Sequence, residues 1–180
     1  SALQRADASD PRVRRFLSIA LGRLEHPSAV PVLVATTKDE DAEARVNAAW
    51  ALGVIGDPSA ATAIAEQLHD SVPAVRTMAA YVLGVLANPG VERSLLVALN
   101  DTVPAVRWNA AVALAMLGHN GGKEMLRRMI DREHLSSVPG IDPRDHSPTM
   151  LAAPSFSALR RRVWLDRNVK RYVMRWCLPR

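Results

Sequence analysis

The chain has 180 residues, 48% of them hydrophobic, 23% charged and 4% aromatic, enough to bury the core of one domain with an appendage. Ala, Leu and Val dominate, which favours close-packed helices over a sheet sandwich; the single cysteine, Cys177, excludes an internal disulfide framework and a zinc site of its own making, and no run of about 18 apolar residues marks a membrane span. The formal charge of +5 is uneven: residues 1–133 carry 14 Lys and Arg against 15 Asp and Glu, residues 134–180 carry 9 against 3, so the basic character belongs to the tail and argues against nucleic-acid binding along the rest.

Self-comparison along the chain finds a repeat without gaps. Arg14, Arg45, Arg76 and Arg107 lie 31 residues apart, each after Val or Ala, and Leu21, Leu52, Leu83 and Leu114 keep the same interval. At the amino end Ala2, Leu3 and Ala6 fall in the register of Ile64, Ala65 and Leu68, inside a helix, which leads to the expectation that at least one repeat precedes Ser1. Each unit reads as two helices. The first places Val75, Ala79, Val82, Leu83 and Leu86 on one face at 3.6 residues per turn. A break follows at Gly56-Asp57-Pro58 and Ala87-Asn88-Pro89, where Asp57 and Asn88 are expected to cap the second helix. That helix buries Ala60, Ala61, Ile64, Ala65 and Leu68. Pro11, Pro73 and Pro104 then open the next first helix, with Asp10, Ser71 and Thr102 as candidate caps.

The pattern D-x-x-x-x-V-R-x-x-A-A-x-x-L-G-x-I-G-D-P recurs with small departures at residues 39–58, 70–89 and 101–120, and resembles the short HEAT-like repeats named after phycobilisome lyases over roughly residues 8–133. The resemblance implies an all-α, right-handed superhelix of about four 31-residue two-helix repeats, stacked because a lone hairpin cannot bury its apolar face. The family includes bilin lyases, a metal-dependent hydroxylase, DNA glycosylases and plain scaffolds, so it constrains the fold far more than the function. It also implies that Asp39/Arg45, Asp70/Arg76 and Asp101/Arg107 form a structural ladder tying adjacent turns, in preference to an arginine row for anions.

Signals for chemistry are weak. The histidines His26, His69, His119, His134 and His146 show no metal-ligand spacing, the His-Glu dipeptides of the hydroxylase branch are missing, and H-E-x-x-H, G-x-S-x-G and C-x-x-C do not occur. No catalytic residue, metal or cofactor is therefore expected. Gly118 to Lys123 imitates a phosphate loop, but Glu124 stands where Ser or Thr is required. Residues 136–155, with four prolines, read as a connector that begins after the solenoid of residues 1–133, within a boundary set at 134–155. Residues 156–180 read as a basic amphipathic helix. Its apolar side is Leu165, Val169 and Trp176 and its basic side includes Arg160, Arg161, Arg162, Lys170 and Arg171; it caps the last repeat or docks on an acidic partner, with RNA or an anionic membrane as the remaining occupants.

One departure from the repeat pattern points to a partner. Outward positions of the first helices read Val46, Trp50 and Val54, then Thr77, Tyr81 and Val85, then Trp108, Val112 and Met116, an apolar row expected on the convex surface and expected to be covered by a protein partner. The function expected from all this is a non-catalytic protein–protein interaction scaffold, a subunit or domain of a larger complex, with membrane-associated complexes included. The first alternative is a bilin-lyase-like enzyme or pigment-protein chaperone, the second nucleic-acid binding through the tail, which is disfavoured. The compartment stays open, with the cytoplasm favoured.

Overall fold

The computed structural model describes residues 10–130 of the chain. Eight α-helices follow one another among these residues: α1 (Pro11–Leu24), α2 (Val30–Thr36), α3 (Ala42–Ile55), α4 (Ala61–Glu66), α5 (Pro73–Leu86), α6 (Glu92–Ala98), α7 (Pro104–Met116) and α8 (Lys123–Ile130). They form four hairpins. First helices stack in one layer, α1 on α3, α3 on α5 and α5 on α7, while α2, α4 and α6 each lie against the first helix of the following repeat. The fold is thus an all-α repeat solenoid whose core is a continuous strip shared by neighbouring units.

The residues expected to form that strip do so. Val75, Ala79, Val82, Leu83 and Leu86 are buried on α5, and Ala60, Ala61, Ile64 and Leu68 are buried on the second helix of the preceding unit, with Ala65 partly so. Burial of this kind removes about 25 cal/mol for each Å² of apolar surface taken from water, which is the main term holding short helices that would be marginal alone.

Local chemistry sets the joints. Each second helix starts through one turn of 3₁₀ helix, and its cap repeats at a fixed place: Asp57 accepts from the Ser59 N–H at 2.9 Å and Asn88 from the Gly90 N–H at 2.9 Å, as the sequence predicts. In the first and fourth repeats histidines take the same place. His26 Nδ1 accepts from Ser28 N–H at 3.2 Å and His119 Nδ1 from Gly121 N–H at 2.9 Å. First helices end in the left-handed region at Glu25, Gly56, Ala87 and Gly118, of which only two are glycines.

At the start of the first helices the expected caps need correction. Asp10 does accept from the Arg12 N–H at 2.8 Å, but Ser71 and Thr102 do not cap: the N-cap residues of α5 and α7 are Val72 and Val103, with no side-chain cap. Pro73 and Pro104 at the first helical position remove one orphan donor, and the ladder aspartates brace the loop instead, Asp70 Oδ1 accepting from Val72 N–H and Asp101 Oδ1 from Val103 N–H, each at 2.8 Å.

Candidate functional site

The ladder is the most regular polar feature of the described residues, and its pairing differs from the expected one. Arg45 and Asp39 of one repeat do meet, but through the backbone: Arg45 Nη1 donates to the Asp39 carbonyl at 2.8 Å, Arg76 Nη1 to the Asp70 carbonyl at 2.9 Å and Arg107 Nη1 to the Asp101 carbonyl at 2.7 Å. The carboxylates belong to the arginine of the preceding repeat. Arg14 Nε and Nη2 bond Asp39 at 2.6 and 3.0 Å, Arg45 bonds Asp70 at 2.7 and 2.9 Å, and Arg76 bonds Asp101 at 2.7 and 3.1 Å, each a two-pronged fork. The reason is geometric: a side chain six residues upstream of a helical arginine has its carbonyl at the helix entrance, while its carboxylate points back across the seam. Arg14 is therefore a full member of the ladder.

Every such aspartate also takes a backbone N–H two residues on, as Asp39 does from Asp41 at 2.8 Å, so one carboxylate clamps a neighbour and shapes its own loop. Hydrogen bonding from Arg14 and from Arg76 holds the Asp39 and Asp101 carboxyls below the usual carboxylate range. At Asp70 burial is the largest influence and acts upward, but the Arg45 guanidinium and the Val72 N–H together outweigh it and the carboxyl is again lowered.

Among the described residues a second rung exists at the first seam alone, and it escaped sequence reasoning. Arg15 Nε bonds Asp41 Oδ1 at 2.7 Å, the Arg15 guanidinium also reaches Glu43, and the Arg15 contact pulls the Asp41 carboxyl down to about 2. No period signals this pair, because positions 46, 77 and 108, the equivalents of Arg15, are Val, Thr and Trp. Two further ties cross the seams: Gln67 Nε2 donates to the buried Thr37 carbonyl at 3.1 Å, and Asn88 Nδ2 to the Pro58 carbonyl at 3.3 Å.

The apolar row of the first helices lies less open than expected. Trp108 is 5% exposed and Val54 9%, which removes both from any accessible surface, whereas Val46, Trp50, Tyr81, Val85, Val112 and Met116 are half-buried. Glycines one repeat back explain part of this. A Cβ on Gly22 would stand 2.8 Å from both Trp50 Cζ3 and Ala51 Cβ, and one on Gly84 would stand 3.1 Å from Ala113 Cα and 3.2 Å from Met116 Sδ. Trp50 and Met116 thus lean over glycines of the neighbouring helix instead of projecting straight outward. The openly exposed large apolar side chains are elsewhere: Phe16 and Leu24 on α1, at 69% and 72%, and Val32 and Val97 on second helices.

His69 is exposed, and among the described residues no three His, Cys, Asp or Glu side chains come together as a metal site. The tail residues Arg160, Arg161, Arg162, Leu165, Val169, Lys170, Arg171 and Trp176, the histidines His134 and His146 and the residues before Asp10 lie outside the described residues.

Comparison with known proteins agrees with this geometry. No curated protein matches the chain. Among solved structures, the complex of CpcE and CpcF of phycocyanin lyase from Nostoc sp. PCC7120 superposes with a TM-score of 0.61 at 20% sequence identity, covering 96% of this chain and 73% of that one, a likeness of fold. The sequence family described as HEAT repeats matches residues 1–84 and 61–138. With hairpins stacked and clamped over residues 10–130, the chain belongs to the HEAT repeat family.

Proposed function

We propose that this chain is a non-catalytic scaffold for protein–protein interaction, acting as a subunit or domain of a larger assembly. The observation that carries the reading is where the chemistry-bearing side chains are engaged: the ladder acids and three of their arginines clamp repeat to repeat, and His26 and His119 serve as helix caps. What the stack offers outward among the described residues is shape and apolar area, and no convergent set of acids, bases or nucleophiles is seen among them. The half-buried row of Val46, Trp50, Tyr81, Val85, Val112 and Met116 is the surface proposed for a protein partner, and the basic tail is proposed to dock on an acidic surface. No helix among the described residues is long and apolar enough to cross a membrane.

The test is size-exclusion chromatography of native lysate with detection of this chain, followed by the same separation for Tyr81→Glu. Elution in a larger particle, reduced to monomer size by Tyr81→Glu with the helical signal unchanged, supports the reading. Monomer-size elution of the natural protein refutes it.

A second reading is favoured by one specific observation, the fold likeness to a complex of phycocyanin lyase subunits. Under it the stack would hold a bilin pigment or its acceptor protein. Mixing the chain with a bilin and recording visible absorbance separates the two, since pigment handling demands a spectral change and a plain scaffold gives none.

A further inference from the structure

Among the described residues the arginine ladder ends on an unmatched rung. Arg107 is set up like Arg45 and Arg76: its Nη1 donates to the Asp101 carbonyl at 2.7 Å and to the Thr102 carbonyl at 3.0 Å, as Arg76 does to Asp70 and Ser71 at 2.9 and 3.3 Å. At Arg45 and Arg76 the Nε and Nη2 edge then grips an aspartate of the next repeat 25 residues on. For Arg107 that place in the sequence is position 132, which is Arg132, and no described carboxylate faces its fork. A guanidinium held by two carbonyls with its bidentate edge open has already met the ordering cost of binding.

We infer that Arg107 is a carboxylate-docking point at the carboxyl-terminal end of the stack, and that its occupant is a loop aspartate of a partner helical-repeat protein. The three filled rungs define that occupant: an aspartate whose carboxylate takes the fork through both oxygens while also accepting the N–H two residues on. The first described hairpin of a second copy offers no such aspartate, because the residue in ladder register before α1 is Ala8. The chain's own tail, with nine basic against three acidic residues in 134–180, is a poor source. The inference rests on the scaffold reading and adds the chemistry of one contact.

The experiment follows the Arg107 Nε–H resonance in the ¹⁵N-labelled full chain, assigned by its loss in Arg107→Gln. The probe is the blocked pentapeptide copied from residues 70–74 of this chain, Asp-Ser-Val-Pro-Ala. The expected result is a saturable shift of that resonance at millimolar peptide, about fivefold or more weaker when the aspartate of the peptide is replaced by asparagine. Equal shifts with both peptides, or none, overturn the assignment. A shift by inorganic phosphate at lower concentration than the peptide also overturns it, marking an anion site of another kind. So does a resonance that moves in free protein on Asp131→Asn or Glu133→Gln, which would show the chain filling its own fork. Because the peptide assay needs no assembly, a chain that elutes alone yet binds the peptide fails the scaffold reading and retains the site.

Discussion

Arg76→Ala removes the whole of one rung, and its cost can be set against an internal control. Arg76 and Asp101 side chains are 14% and 12% exposed, and the substitution deletes two charge-assisted bonds to Asp101 along with the bonds to the Asp70 and Ser71 carbonyls. Breaking a fully buried ion pair costs roughly 3–5 kcal/mol, while an exposed one is worth roughly 0–1. The stranded Asp101 keeps its bond from Val103 N–H and some contact with water, so the expected loss is about 2–3 kcal/mol, a fall of about 4–12 °C in melting temperature. Arg107→Ala deletes the same carbonyl bonds without stranding any described acid, and is expected to cost about 1 kcal/mol or less. Urea and thermal unfolding followed by circular dichroism measure both. Equal losses would refute the argument, since the clamp would then reside in the carbonyl contacts and the carboxylate fork would contribute nothing.

Gly22→Ala should destabilise by about 1–3 kcal/mol in the same assay although alanine is the better helix former, because the new methyl would stand 2.8 Å from Trp50 and Ala51; a gain in stability would show that the seam has room. Trp108→Glu should lower the melting temperature of the isolated chain, by about 3 kcal/mol or more in stability, since the side chain is 5% exposed; an unchanged melt would restore Trp108 as an outward anchor. Acid should loosen the stack in a defined direction. The carboxyls of Asp39, Asp41, Asp70 and Asp101 are lowered in the folded state, so between their ordinary range near pH 4 and the folded value, about 2 for Asp41, the unfolded chain binds more protons and stability falls as pH falls. Melting curves from pH 6 to pH 2 should show that decline, and a flat profile would contradict the ladder's electrostatic role.

What the amino-acid sequence determines by itself is whatever repeats. A 31-residue period fixes the number of units, the helical face of Val75 to Leu86, the breaks at Gly56-Asp57-Pro58 and Ala87-Asn88-Pro89 and the caps Asp57 and Asn88, because periodic burial and helix capping are local properties of the chain. Those are the features that let four hairpins and their shared core be drawn before any coordinates. Departures from the period are a different matter. The Arg15–Asp41 rung has no echo in later repeats, and the histidine caps look like loop residues until their Nδ1 atoms are seen on backbone N–H groups.

Only the tertiary structure decides which repeat a side chain serves. Spacing alone pairs Asp101 with Arg107, six residues away, yet the stacking offset carries the Asp101 carboxylate to Arg76, 25 residues back, and leaves the Arg107 fork without a carboxylate among the described residues. The same offset brings Trp50 over Gly22, so an apolar position that helical periodicity assigns to the outside becomes part of a seam, and Trp108 of the same outward row is buried as well. Periodicity specifies the angle of a residue about its own helix; the translation of one helix past the next is set by how small residues such as Gly22 and Gly84 let backbones approach, and that quantity exists only when both helices are in place.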